Sequence, residues 1–111
     1  MSCEIVVLPE FARQIKRLAK RYRLIKKDLA HLSATLKSDP RCGTHLVGNC
    51  YKVRLANSSV PVGKSGGFRV VYYYRDEESG RIYLLAIYSK SDQATISEEE
   101  IIAILRRNAL G

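Results

Sequence analysis

The sequence predicts an α+β domain: two N-terminal helices packed on a small, mostly antiparallel sheet, in the order β-α-α-β-β-β-α. Three observations lead there. Apolar residues recur twice at helical spacing before Asp39-Pro40, two central runs alternate with period two, and a nearly continuous apolar run precedes a last amphipathic segment. At 111 residues the chain is one domain, 1–111, long enough for a modest core and too short for two.

Residues 4–8 (E-I-V-V-L) form a short apolar run and read as a strand. Pro9 then opens a helix, because proline suits a first turn. Phe11, Ile15, Leu18 and Tyr22 make one helical stripe, and Ile25, Leu29, Leu32 and Leu36 make a second that ends by Asp39-Pro40. The junction falls around Arg21-Tyr22-Arg23; two helices and one kinked helix both fit. Residues 41–49 carry two glycines and read as a loop. Residues 50–56 are a strand, and 57–67 (N-S-S-V-P-V-G-K-S-G-G) a flexible connection or long hairpin loop. Residues 68–75 are the next strand, 76–80 (D-E-E-S-G) a polar turn, and 82–88 a strand covered on both faces. Residues 98–107 form the last helix, with Ser97 as N-cap, acids in its first turn and Arg106 and Arg107 in its last.

Nineteen Lys and Arg against eleven Asp and Glu leave a net charge of +8, which favours an anionic partner. Cys3, Cys42 and Cys50 are odd in number and lack a C-x-x-C pair. That pattern points away from a disulfide framework or zinc site and toward a reducing cytoplasm. No apolar run is long enough to span a bilayer, and no basic region followed by an apolar stretch and a small-residue cleavage site opens the sequence, so neither a signal peptide nor a membrane partner is expected.

The cations are concentrated. In Y-K-V-R-L (51–55), Lys52 and Arg54 point away from Tyr51, Val53 and Leu55. In the next strand Arg69 lies opposite Phe68, Val70, Tyr72 and Tyr74. If the two strands pair, Lys52, Arg54 and Arg69 gather on one surface suited to a phosphodiester, since arginine's planar fork binds two oxygens at once. The competing interpretation is a solvated outer sheet face. A second group is Arg13, Lys16, Arg17, Lys20, Arg21, Arg23, Lys26 and Lys27, with no acid among them. Like charges four apart on a helix repel, so this stripe fits a nucleic-acid backbone. Lys64 in G-K-S suggests a P-loop, but Ser58 occupies the place of the required first glycine and no helix follows. Lys64 remains a candidate RNA contact from its loop, Lys90 a fourth cation at a strand end, and Tyr73, on the face of Arg69, a ring for base stacking. His31 and His45 show no paired acid–base spacing. Acids are scarce near the cationic strands, so no metal and no cofactor is expected.

Taken together, the basic helical pair, Y-K-V-R-L at 51–55, G-F-R-V-V-Y-Y at 67–73 and L-L-A-I-Y-S-K-S-D at 84–92 make the chain resemble the RelE/ParE superfamily of type II toxin–antitoxin toxins, in particular its RelE/HigB-like branch. The resemblance implies a ribosome-dependent mRNA endoribonuclease that works without metal, the RNA 2′-hydroxyl attacking the adjacent phosphate. It implies a cognate antitoxin protein, the ribosome and mRNA as partners, operator DNA only through the antitoxin complex, and a cytoplasmic location. By the same resemblance Lys52 is the general base or proton shuttle, Arg54 and Arg69 stabilise the transition state, Lys90 joins the site, and the helical cations contact ribosomal RNA. Two positions depart from well-known RelE toxins: Ser91 stands where they carry an arginine, and residues 93–111 lack their C-terminal tyrosine. A ParE-like DNA gyrase inhibitor and a catalytically weak homologue that binds RNA or antitoxin are the alternatives.

Overall fold

The central strand of the sheet is a segment buried on both faces. In the computed structural model, which describes residues 3–60, 67–75, 80–90 and 95–110, that segment is Phe68–Arg75. The elements are β1 (Glu4–Val7), α1 (Pro9–Ala19), α2 (Ile25–Ser38), β2 (Thr44–His45), β3 (Cys50–Leu55), β4 (Phe68–Arg75), β5 (Arg81–Ser89) and α3 (Glu98–Arg107). They build a five-stranded sheet in the order β1-β5-β4-β3-β2. All neighbours are antiparallel except β1 and β5, which run parallel. The α+β architecture holds as expected, with one strand more than the sequence signalled.

That extra strand is β2, inside the stretch expected to be a loop. Thr44 and His45 pair with Lys52 and Tyr51. A two-residue strand is too short to display alternation. Its position is fixed by distant contacts instead. The Tyr72 hydroxyl, at the centre of the sheet, donates to the Pro40 carbonyl at 2.8 Å and accepts from the Gly43 N–H at 3.2 Å. Burial, and next the neighbouring Cys42, push this phenol above its ordinary range. Gly43 passes so close that a Cβ there would lie 2.7 Å from the Lys52 carbonyl oxygen. The strand then turns through Gly48, whose φ of 56° suits glycine.

The sheet separates two cores. On one face Phe11, Ile25, Leu32 and Leu36 of the first two helices pack on Leu55, Phe68, Val70, Tyr72, Ile82 and Ile87. On the other, Ile101 and Ile104 of α3 pack on Cys50, Val71, Tyr73 and Leu85. A bulge adjusts the alternation: Val71 faces Ala86 but Tyr72 faces Leu84, so Leu85 is extra and both Leu85 and Ala86 turn to the α3 side. Of the two readings of the helical region, two separate helices are found. Ile25 N–H bonds back to Tyr22, itself buried against Phe68 in an edge-on ring contact of 5.4 Å. Where β1 ends, Gln14 of α1 accepts the Ile87 N–H at 2.9 Å and so satisfies the exposed edge of β5.

Two polar ties fix the peripheral elements. Asp28, 5% exposed in α2, accepts from the Ser58 N–H at 3.0 Å and from the Ser58 hydroxyl, while the Ser59 hydroxyl accepts the Leu24 N–H at the start of α2. Residues 57–60, expected to be part of a flexible connection, are thus anchored to α2. At the other tie, Glu10 of α1 accepts from Arg107 Nε at 2.9 Å and from Asn108 Nδ2 at 3.2 Å, holding the end of α3. Ser97 and Glu100 form a reciprocal capping box at its start.

Removing Asp28 takes away two hydrogen bonds that Ser58 donates to a buried carboxylate. Asp28→Ala is therefore expected to cost about 1–3 kcal/mol in chemical denaturation. Burial alone would raise the Glu10 carboxyl, but its bonds to Arg107 and Asn108 outweigh that and lower it below its ordinary 4.5. The folded state thus holds this proton more weakly than the unfolded chain. The stabilisation is complete above about pH 4.5 and fades as pH falls through the lowered folded value. Glu10→Gln is expected to lower Tm at neutral pH, with the gap to wild type closing in acid; a gap constant from pH 7 to pH 3 would contradict this.

Candidate phosphate-binding face

Period-two alternation and strand register bring the sheet cations together. Arg54 on β3 pairs directly with Arg69 on β4, and Arg69 pairs with Tyr88 on β5. Directly opposed residues share a face, with backbones about 4.5–5.5 Å apart. Lys52 lies on that face two residues from Arg54, opposite Val71. Lys90 follows β5 and donates its N–H to the Gly67 carbonyl at 3.2 Å, at the same end of the sheet. Lys52 is half-buried, while Arg54 and Lys90 are exposed; none of the three forms an ion pair among the described residues. Arg69 is 8% exposed and donates from Nη1 to the Phe68 carbonyl at 3.3 Å, so its guanidinium is held in place rather than sweeping through solvent. Like charges directly opposed across two strands oppose folding. An anion laid across the row relieves that repulsion.

The helical cations are on the other side of the molecule. Arg13, Lys16, Arg17 and Lys20 project from the solvent face of α1, opposite its Phe11–Ile15–Leu18 stripe, and that stripe packs on the sheet face away from Lys52 and Arg54. Arg21, Arg23, Lys26 and Lys27 are also exposed, and the Arg21 guanidinium lies 5.2 Å from the Tyr22 ring centre. The two cationic groups therefore flank the sheet and do not merge across it.

Tyr73 requires a correction. Alternation places it on the face of Arg69, as expected, but it is only 6% exposed. Its ring packs 6.0 Å from Tyr83, with the Arg75 guanidinium 5.8 Å from each ring. The core beneath α3 occupies the position where a base would stack. Lys64 lies outside the described residues.

Cys50 shares the cationic face but lies under α3, and burial pushes its thiol up to about 11, far from a reactive thiolate. His45 is exposed in β2, with Nε2 2.6 Å from the Gly48 carbonyl and its ring 5.4 Å from Tyr51. Among the described residues no group of three or more His, Cys, Asp and Glu could hold a metal ion. No helix among them is long and apolar enough to cross a membrane.

The register also adds a residue that sequence inspection missed. Tyr88 completes the transverse row Arg54–Arg69–Tyr88, is 6% exposed, and has a buried hydroxyl with no hydrogen-bond partner among the described residues. A buried unsatisfied hydroxyl costs about 1–3 kcal/mol. Tyr88→Phe is therefore expected to leave Tm unchanged or raise it by a few degrees. A clear loss of stability would mean that the hydroxyl is bonded in solution.

The chain is similar in fold to the E. coli toxin RelE, solved in the free state as a mutant with two arginines changed to alanine. The match has a TM-score of 0.60 at 19% identity and covers 99% of this chain and 100% of that one. The sequence profile of the RelE toxin of the RelE/RelB toxin–antitoxin system matches residues 11–109, from the first helix through the cationic strands to the end of α3. Over that span the motif strands and both helical layers fall inside one family, and the chain belongs to the RelE toxin family.

Proposed function

We propose that this protein is the toxin of a type II toxin–antitoxin pair and a ribosome-dependent endoribonuclease that cuts translated mRNA. The observation that carries the reading is the row on the sheet: Arg54 directly across from Arg69, with Lys52 on the same face. Neither Lys52 nor Arg54 is neutralised by a carboxylate among the described residues. In this reading the 2′-hydroxyl of one nucleotide attacks the adjacent phosphorus, the 5′-oxygen of the next nucleotide leaves, and a cyclic phosphate remains. Charge accumulates on the equatorial oxygens, where Arg54 and Arg69 stabilise it. Lys52, half-buried on a rigid strand, takes or relays the 2′-hydroxyl proton. Lys90 adds charge at the open end of the row.

The placement of the helical cations supports the ribosome as the setting. A protein 22 Å across its shortest axis, with cations on both sides of its sheet, suits a crevice walled by RNA. In this reading Arg13, Lys16, Arg17, Lys20, Arg21, Arg23, Lys26 and Lys27 hold ribosomal RNA while the sheet face meets mRNA. The cytoplasm is the compartment where this happens. The partners are a cognate antitoxin, the ribosome and mRNA, with operator DNA reached only through the antitoxin complex. One observation favours a second reading, a homologue that binds RNA or antitoxin with weak catalysis: Ser91 and the absence of tyrosine from residues 93–111 remove two groups that well-known RelE toxins carry.

Inducible expression with mapping of mRNA ends tests the proposal. Cuts within translated codons that vanish when ribosome loading is blocked are expected. Intact mRNA with DNA damage would point to gyrase instead, and absence of toxicity to the second reading. Arg54→Ala changes an exposed side chain and is expected to lower cleavage about 100-fold or more with stability within about 0.5 kcal/mol of wild type. A folded Arg54→Ala protein that cleaves at the wild-type rate would remove this row from the chemistry.

A further inference from the structure

A cavity of about 320 Å³ opens beside Lys52, between the N-terminal end of α3 and the turn from β2 to β3. Among the described residues its apolar walls are Leu46, Val47, Ile96 and Ile101, and its charged residues are Lys52 and Glu98. Lys52 thus belongs at once to the cationic row and to the cavity lining. A phosphate held at Lys52 therefore sits at the cavity's edge, and the rest of that nucleotide has an apolar slot next to it. The size lies at the lower end of the roughly 300–1,000 Å³ range of small-ligand pockets, which suits a flat ring better than a larger group. Glu98 sits in the first turn of α3 but takes no part in the capping box, which is made by Ser97 and Glu100. Its carboxylate repels phosphate and accepts hydrogen bonds. The two charges give the slot a direction: phosphate toward Lys52, a donor edge toward Glu98.

We propose that this cavity is a nucleobase subsite, holding the base of the nucleotide whose phosphate meets Lys52. It favours bases with an exocyclic amine (adenine, guanine and cytosine) over uracil, whose edge offers Glu98 no amine. The inference rests on the nuclease reading above and assigns it a specificity determinant. The walls explain why an apolar slot is placed here: Leu46 and Val47 are carried by the hairpin that Tyr72 pins, and Ile96 and Ile101 by the capped start of α3. The slot is therefore preorganised by both sides of the fold.

The test uses the full chain on ribosomes programmed with mRNAs that vary each base flanking the cut. Wild type is expected to disfavour uridine at one flanking position by about 10-fold, the factor that one good hydrogen bond supplies. Glu98→Gln is expected to shrink that preference to about 3-fold or less. Val47→Trp, which fills the slot, is expected to lower cleavage at every codon by about 10-fold or more, with an unchanged melting transition confirming its fold. Val47→Ala, which cannot overpack, is expected to raise KM with a smaller effect on kcat. Should wild type cleave while Glu98→Gln and Val47→Ala keep its rate and base preference, the subsite is wrong and the nuclease reading stands. Should wild type fail to cleave on ribosomes, the nuclease reading fails and the subsite with it.

Discussion

Everything on the cationic face depends on how β4 is paired. It is bonded on both edges and buried on both faces, so a one-residue slip would exchange the Phe68–Val70–Tyr72 set with the Arg69–Val71–Tyr73 set and place a guanidinium in the core beneath α1 and α2. The core thus selects the register, and the register sets Arg69 between Arg54 and Tyr88. The electrostatic cost of opposed arginines is imposed by packing on the far side of the sheet. A loop-borne cluster could relax apart, whereas this one stays where the strands hold it.

The legible parts of the sequence are those where polarity changes along a single element. In Y-K-V-R-L the cations interrupt an apolar stripe, so each side chain's face can be assigned from Lys52 and Arg54 alone. The helix of residues 98–107 announces itself through acids at its start and arginines at its end, and its bounds match those expected. β5 carries no such contrast. Its interior from Ile82 to Tyr88 is apolar throughout, so only the partner strand and the bulge at Leu85 assign Tyr88 to the cationic face. β2 was illegible for another reason: its position comes from the hydroxyl of Tyr72, 29 residues away from Gly43 in the chain.

The misreading of Tyr73 and the placement of the helical cations share one cause. Alternation tells which face a residue takes but not what covers that face. α3, drawn from the end of the sequence, covers the Tyr73 half and leaves Arg54 itself exposed. The same helix contributes Ile101, and the segment leading into it Ile96, to the cavity beside Lys52, so one element both conceals a tyrosine and helps wall the slot. Its hold at both ends, by the capping box and by Glu10, decides how much of this face is available. The helical stripe of cations is exposed, yet its side of the sheet follows only from packing of Phe11 against strands more than fifty residues later.

The parallel pairing of β1 with β5 sets a condition on biosynthesis. The N-terminal strand finds its partner in Arg81–Ser89, and most of the apolar surface under the helices that follow it comes from β4 and β5. During vectorial synthesis the emerging first half is a basic, partly helical chain without a sheet to organise it. Assembly of the native topology is deferred until most of the polypeptide has left the exit tunnel. A nascent chain therefore gains its cationic row late, only once β3, β4 and β5 stand side by side.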